Sequence, residues 1–475
     1  MEQDHLKRTT FVFWMILVLG AAIRAYGVTA FPFEQDELYT VDEATNLFQT
    51  RLAPGIQARP VFFLLEHPLV TTLPHTPLVL RCLPFLFGLL GLWATWKLAR
   101  HVLGDVGGWV AVLLAAISPW HMYASGFGRY YSLIYLLAAL VYWWLPRAYD
   151  SDRPRDFLFA FGALFVGMWT HPSFIIPVAG AAVAATVLSR EGRIGWRWPT
   201  RNAMQYLWLP FFLGSGGVFL ALKFTHHMSA VVNGGDRGLA ATLRLLPAMV
   251  DWMTATVFVA GAAGALLLMT SRTPGRRRFG GMALLGVSGM LLALLALSFF
   301  TSVYADYGIA ALPLVFVTSA AVVQWIADGI ELPRRRGAVA AVVALLVVGV
   351  LPSTLSHLSD GTRFDYRPAF ARIAADPPEA VLAWPVVLQR AYAPQFHAYE
   401  LRPDSVRLDS ILTRERHAWA VVSVKRYGVV GDDGGQIASW LGGHCVQVDS
   451  YQRPRLDYRM YRVDLWRCSA GTEGT

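Results

Sequence analysis

Eleven stretches of mostly apolar residues punctuate the chain, near 11–28, 82–100, 107–124, 130–147, 157–170, 173–189, 204–222, 248–270, 280–300, 308–327 and 337–352. Each approaches the roughly 20 residues that a helix needs to cross a bilayer. From about residue 353 the rhythm changes. Charged residues become frequent and no apolar run is long enough to span. There, short β-branched and aromatic runs predict strands at 381–384, 419–424, 445–448 and 460–466. Helices are expected at 366–375, ended by Asp376-Pro377-Pro378, and at 436–441. The pattern predicts a polytopic α-helical membrane domain over 1–352 and a small α/β domain over 353–475.

The composition agrees. Of 475 residues, 55% are hydrophobic and 15% charged, against about a quarter charged in soluble domains. The net charge of +9 does not call for nucleic acid, because most of the excess is arginine between apolar runs, where it sets orientation. With the N-terminus inside, eighteen Lys and Arg fall in inside connections and eight in outside ones. An odd number of spans then puts residues 353–475 outside the cytoplasm, in a multi-pass plasma-membrane protein. Lys7 and Arg8 before the first run fit an uncleaved signal anchor. Three cysteines are too few for a disulfide framework. Cys82 lies in an apolar run, while Cys445 and Cys468 can pair if their region is external.

Chemistry-bearing residues gather at the external helix ends. The first external loop, 29–81, carries Asp36 and Glu37 shortly after the first span. A carboxylate pair is costly to hold at the mouth of a membrane bundle and reads as a site. Thr40-Val41-Asp42-Glu43 reads as a capping box, and Val41, Ala44, Leu47, Phe48 and Leu52 recur at the spacing of an amphipathic interfacial helix. Arg24 ends the first span and Arg81 opens the second. Ser125 to Tyr131, with Arg129 and Tyr130, links the third and fourth. His171 links the fifth and sixth, His226, His227 and Asp236 the seventh and eighth, and Asp306 the ninth and tenth. Taken singly, each arginine also fits a snorkelling boundary residue. Together they fit an anionic substrate whose tail lies in the bilayer. No phosphate-cradling Gly-x-x-x-x-Gly-Lys loop occurs, which argues against nucleotide hydrolysis. Asp432 to Gly435 reads as a turn rather than a calcium loop, and adjacent His226 and His227 lack the spacing of helical metal ligands.

Asp36-Glu37, the interfacial helix, Leu80-Arg81-Cys82-Leu83-Pro84, Ala115-Ala116-Ile117-Ser118-Pro119 and Tyr123-Ala124-Ser125 followed by Arg129-Tyr130-Tyr131 resemble, in that order, the GT-C glycosyltransferases. The branch they resemble is that of the protein mannosyltransferases and aminoarabinose transferases (glycosyltransferase family 39), over about residues 10–190. The resemblance implies transfer of a sugar from a polyprenyl-phosphate donor to an external lipid, glycan or protein acceptor, with inversion. It assigns the base to Asp36, with Glu37 as second choice or orienting partner. Arg81, Arg129 and His171 would meet the phosphate charge, beside Tyr130, with Arg24 or Arg59 assisting. Two departures stand out. Phe127 occupies a position where relatives often carry Glu, and Asp306-Tyr307 stands where they often carry Arg-Tyr. The first weakens a divalent metal shared by two acidic loops, so no cofactor is assigned and metal dependence stays open. Asp306 could replace the missing carboxylate. The Trp-Trp-Asp signature of oligosaccharyltransferases is absent from the C-terminal region. Two other function classes remain, a non-catalytic polyprenyl-phosphate-binding envelope protein and a transporter or flippase. Near-absence of mid-helix charge argues against the transporter.

Overall fold

A computed structural model describes residues 2–469, apart from 49–58, 189–199, 225–237, 301–302, 332–333, 385, 416, 426–427, 431, 433–434 and 458. Arg51, Leu52, His226, His227 and Asp236 therefore lie outside the described residues, as does the middle of the turn expected at Asp432 to Gly435. The chain divides into two compact units, one of Met1–Val28, Glu43–Pro74 and Leu78–Thr354, the other of Thr29–Asp42, His75–Pro77 and Leu355–Thr475.

Every apolar stretch expected to span is helical. The run begins with α1 (Glu2–Ala30), α2 (Gln35–Thr45), α3 (Pro60–Thr72), α4 (Pro77–Leu103), α5 (Asp105–Ile117), α6 (Pro119–Ser125), α7 (Tyr131–Ser151), α8 (Pro154–Thr170) and α9 (Ile175–Val187). It continues with α10 (Leu209–Phe224), α11 (Leu239–Met253), α12 (Ala255–Met269), α13 (Pro274–Ser298), α14 (Leu312–Gly329) and α15 (Arg334–Asp360). Proline opens several of them, where its missing N–H costs nothing and its fixed φ suits the first turn. Among the described residues five helices are long and apolar enough to cross a membrane, and two bent pairs bring the number to seven.

Those bent pairs correct the reading of two spans as single helices. α5 and α6 meet at 64° and α11 and α12 at 89°. The first break follows from Pro119, which cannot donate to the preceding turn. The second sits at Thr254, whose φ of 66° is a left-handed value that a β-branched residue adopts only under strain. α14 forms the centre of the membrane unit, with 83% of its apolar window buried against 17% for α15. Close approach needs small residues there. A Cβ on Gly264 of α12 would stand 1.7 Å from the Thr318 carbonyl oxygen of α14.

The first external loop also differs from expectation. α2 begins at Gln35, so Asp36 and Glu37 lie in the first turn of a helix, where the helix dipole favours carboxylates. The expected capping box falls inside this helix, and Thr40 Oγ1 instead donates back to the Asp36 carbonyl at 3.0 Å. α3 has no counterpart in the sequence reading.

In the second unit the sheet order is β2-β1-β3-β6-β5, with β4 pairing β3. The strands are β1 (Ala380–Ala383), β2 (His397–Glu400), β3 (His417–Lys425), β4 (Gly428–Val429), β5 (Cys445–Gln452) and β6 (Arg462–Ser469). β1 runs parallel to β2 and β3, and β6 is antiparallel to β3 and β5. The four expected strands correspond to β1, β3, β5 and β6, while β2 and β4 were not anticipated. Cys445 and Cys468 face each other across β5 and β6 and are disulfide-bonded, and Cys82 is a free thiol.

Closing a loop of this size constrains the unfolded chain by about 3 kcal/mol. Thiol labelling of the denatured, unreduced protein should find one reactive cysteine per chain. Three would contradict the pairing. Replacing both Cys445 and Cys468 by Ser should lower the unfolding midpoint of the second unit.

Candidate functional site

The acidic pair belongs to the second unit. Glu37 is fully buried and ion-paired with Arg363, itself 1% exposed, at 3.2 Å. Glu37 Oε2 also accepts the backbone N–H of Glu34 at 3.0 Å. The Arg363 guanidinium donates further to the Pro32 carbonyl, and Tyr392 donates to the Phe33 carbonyl at 2.8 Å. The segment leading into α2 is thus held from several sides. Asp36, its neighbour, is half-buried. Of the two carboxylates, Glu37 is fixed in an ion pair and Asp36 retains access to solvent.

Glu34 joins them and was not anticipated. Burial raises its carboxyl to about 7, with Asp36 and Glu37 adding to the rise and Arg363 and Lys425 opposing it. Three acids thus fall within four residues at the start of α2. The signal was present in Glu34-Gln35-Asp36-Glu37, where a helical start brings Glu34 and Glu37 together.

The cations gather in the membrane unit. Arg59, at the start of α3, donates to the Tyr130 hydroxyl at 2.7 Å and lies over its ring at 5.4 Å. The Arg129 guanidinium is 6.0 Å from the same ring and 3.6 Å from the Glu43 carboxylate. His171 stacks on Tyr130 with centroids 4.7 Å apart and meets Tyr307 at 5.2 Å. Phe62 closes the group edge-on against Tyr130 at 6.1 Å. Tyr130, Arg129 and His171 are all buried.

Burial, together with the positive charges of Arg59 and Arg129, holds the His171 imidazole well below its ordinary titration range. The charged form of His171 is therefore disfavoured, whereas the resemblance implied that it would meet the phosphate charge. Its Nδ1 accepts the Ser173 backbone N–H at 3.2 Å, so the ring proton sits on Nε2, available as a neutral donor.

The structure thus brings Arg59, Arg129, Tyr130 and His171 together, with Arg59 holding a more central place than the sequence reading gave it. Arg81 is fully buried and donates to the Val28 carbonyl at the end of α1, at 2.9 Å. Asp306 lies in the first turn of a 3-10 helix, Ala305–Ala311, just before Tyr307. Phe127, in the position where an acid was expected, is 2% exposed and stacks between Tyr123 and Tyr131. Among the described residues no group of three or more His, Cys, Asp or Glu is placed to hold a metal ion. Glu34 and Arg363 were not singled out beforehand, Arg363 because its partner is distant in sequence and Glu34 because the helix start was placed too late, while Glu43 was read only as part of a capping box and Tyr307 only as the neighbour of Asp306.

Residues 60–213 match the family model of the dolichyl-phosphate-mannose-protein mannosyltransferases. No curated protein sequence matches the chain. Among solved structures, ArnT from Cupriavidus metallidurans in the apo state aligns over 97% of this chain and 98% of its own, at 15% identity and a TM-score of 0.50. The Archaeoglobus fulgidus oligosaccharyltransferase tethered to an acceptor peptide aligns over 92% of this chain and 73% of its own, at 12% identity and a TM-score of 0.53. The chain is a multi-pass membrane protein with the GT-C glycosyltransferase fold, carrying the protein-mannosyltransferase signature over residues 60–213.

Proposed function

We propose that the protein transfers a sugar from a polyprenyl-phosphate donor to an extracytoplasmic lipid, glycan or protein acceptor, with inversion at the anomeric carbon. The observation that carries this reading is the gathering of Arg59 and Arg129 on Tyr130 beside a neutral His171. Two guanidiniums gathered on one aromatic ring suit a phosphate that gains charge as its bond to the sugar breaks. The His171 Nε2–H adds a neutral donor. The matched family uses a dolichyl-phosphate sugar, which is a donor of this chemistry.

Asp36 acts as the base. The acceptor oxygen attacks the anomeric carbon from the face opposite the phosphate, and Asp36 takes its proton. The bond from that carbon to the phosphate oxygen breaks, and its electron pair leaves with the polyprenyl phosphate, which needs no acid to depart. Glu37, fixed by Arg363, orients the turn that carries Asp36. Orientation of the chain follows its arginine distribution, with residues 353–475 outside the cytoplasm. A disulfide in that region supports the same placement.

Membranes carrying Asp36→Asn, supplied with labelled polyprenyl-phosphate sugars, should lose transfer by about 10²- to 10⁴-fold while still binding undecaprenyl phosphate. Arg129→Met should do the reverse in order of severity, weakening that binding first. Unchanged transfer in Asp36→Asn removes the assigned base.

Glu34 gives a pH signature with a definite sign. Its folded-state value lies above the ordinary 4.5, at about 7, so the fold favours the protonated carboxyl. The stability this contributes is present below about 4.5 and is lost as pH rises through 7. Glu34→Gln should unfold with wild type at pH 4 and become relatively more stable between pH 5 and 8. Parallel midpoints across that range would contradict a buried, titrating Glu34.

A further inference from the structure

The break between α5 and α6 leaves carbonyls that need partners. Pro119 has no N–H to give the Ala115 carbonyl, and Ser118, at φ −63° and ψ 123°, is extended, so the end of α5 loses its intrahelical bonds. α6 is capped at its own start, where Ser118 Oγ accepts the His121 N–H. The carbonyls ending α5 have no such local remedy, and water is scarce inside a membrane bundle.

One side chain from α1 supplies it. Arg24, 2% exposed, donates through Nη1 to the Ala116 carbonyl at 2.9 Å and through Nη2 to the Ala115 carbonyl at 3.1 Å. The same guanidinium reaches across the break, with Nη2 2.6 Å from His121 Nδ1 and Nε donating to Ser125 Oγ at 3.3 Å. Its remaining bond goes to the Gly20 carbonyl on its own helix. All five partners are neutral. Guanidinium only donates, so His121 accepts at Nδ1 and carries its proton on Nε2, with the Tyr135 ring edge-on at 4.2 Å.

Neighbouring backbone makes room for this arrangement. A Cβ on Gly88 of α4 would stand 2.3 Å from Ser125 Oγ, and one on Gly91 would stand 2.8 Å from the Tyr135 ring and 3.3 Å from His121 Nε2. Ser125 ends α6, and Arg129 and Tyr130 follow within five residues. Nothing but a short turn separates the clamp from the cation cluster.

We propose that Arg24 is a positioning residue. It satisfies the carbonyls freed by Pro119, locks the angle between α5 and α6, and through that angle holds Arg129 and Tyr130 where the donor phosphate binds. It does not itself touch the phosphate. The inference rests on the phosphate-site reading given above.

The test uses the full-length protein in nanodiscs and undecaprenyl phosphate as the probe, with thermal unfolding and binding measured together. Arg24→Met should lower the unfolding midpoint and weaken binding by at least about tenfold, as small misplacements do. Arg24→Lys keeps the charge and loses the fork, and should bind as poorly as Arg24→Met. Adding Pro119→Ala to Arg24→Met returns a backbone donor to the Ala115 carbonyl. The double variant should regain stability without regaining binding, because the straightened helix displaces Arg129.

Three outcomes would overturn the proposal. Folded Arg24→Met with wild-type binding would mean that Arg24 positions nothing. Near-wild-type binding in Arg24→Lys would mean a direct charge contact. Binding restored together with stability in the double variant would reduce Arg24 to a stabilising residue. Arg129→Met serves as the separate control. If it binds undecaprenyl phosphate as wild type does, the phosphate-site reading fails, whatever Arg24 does.

Discussion

An ionised side chain surrounded by apolar helices costs several kcal/mol unless its charge is met by partners of good geometry. That constraint organises the membrane unit. Arg24, Arg81 and Arg129 are all buried, and their partners include carbonyls, a hydroxyl, an imidazole, an aromatic face and the Glu43 carboxylate at 3.6 Å. Arginine suits such places because its planar fork can serve several acceptors at once and stack on a ring.

The second unit uses charge differently. Glu37 and Arg363 form a tight buried pair, of the kind whose removal from one side is destabilising by about 3–5 kcal/mol. The pair links residues more than three hundred positions apart and fixes the turn that starts α2. Asp36 stands next to it, half-buried, on the first turn of a helix whose dipole favours its charge. The two adjacent carboxylates differ in burial, Glu37 being fully buried in its ion pair and Asp36 half-buried.

Much of the helical fold was legible because bilayer-length apolar runs are a strong, local signal. Strands at β1, β3, β5 and β6 were legible from β-branched and aromatic runs, whereas β2, His397–Glu400, is bounded by polar residues and largely half-buried, and β4 has only two residues. The bends were not legible as bends. Pro119 was visible, but its effect depends on Arg24 arriving from another helix to make the break tolerable, and Thr254 gives no sequence cue to a positive φ. The capping box at Thr40 failed because Asp36 and Glu37 themselves start the helix. In the site, Arg129, Tyr130 and His171 could be picked out by their position at helix ends. The lowering of the His171 pKa could not, since it comes from burial in the folded bundle, with Arg59 and Arg129 lying close in space adding to it.

A cryo-EM structure of the full chain with undecaprenyl phosphate bound tests the central claim most directly. The account predicts phosphate oxygens within about 3.2 Å of the Arg59 and Arg129 guanidiniums, with Arg24 still bonded to the Ala115 and Ala116 carbonyls. A phosphate seated elsewhere, with Arg59 and Arg129 still gathered on Tyr130, would contradict it.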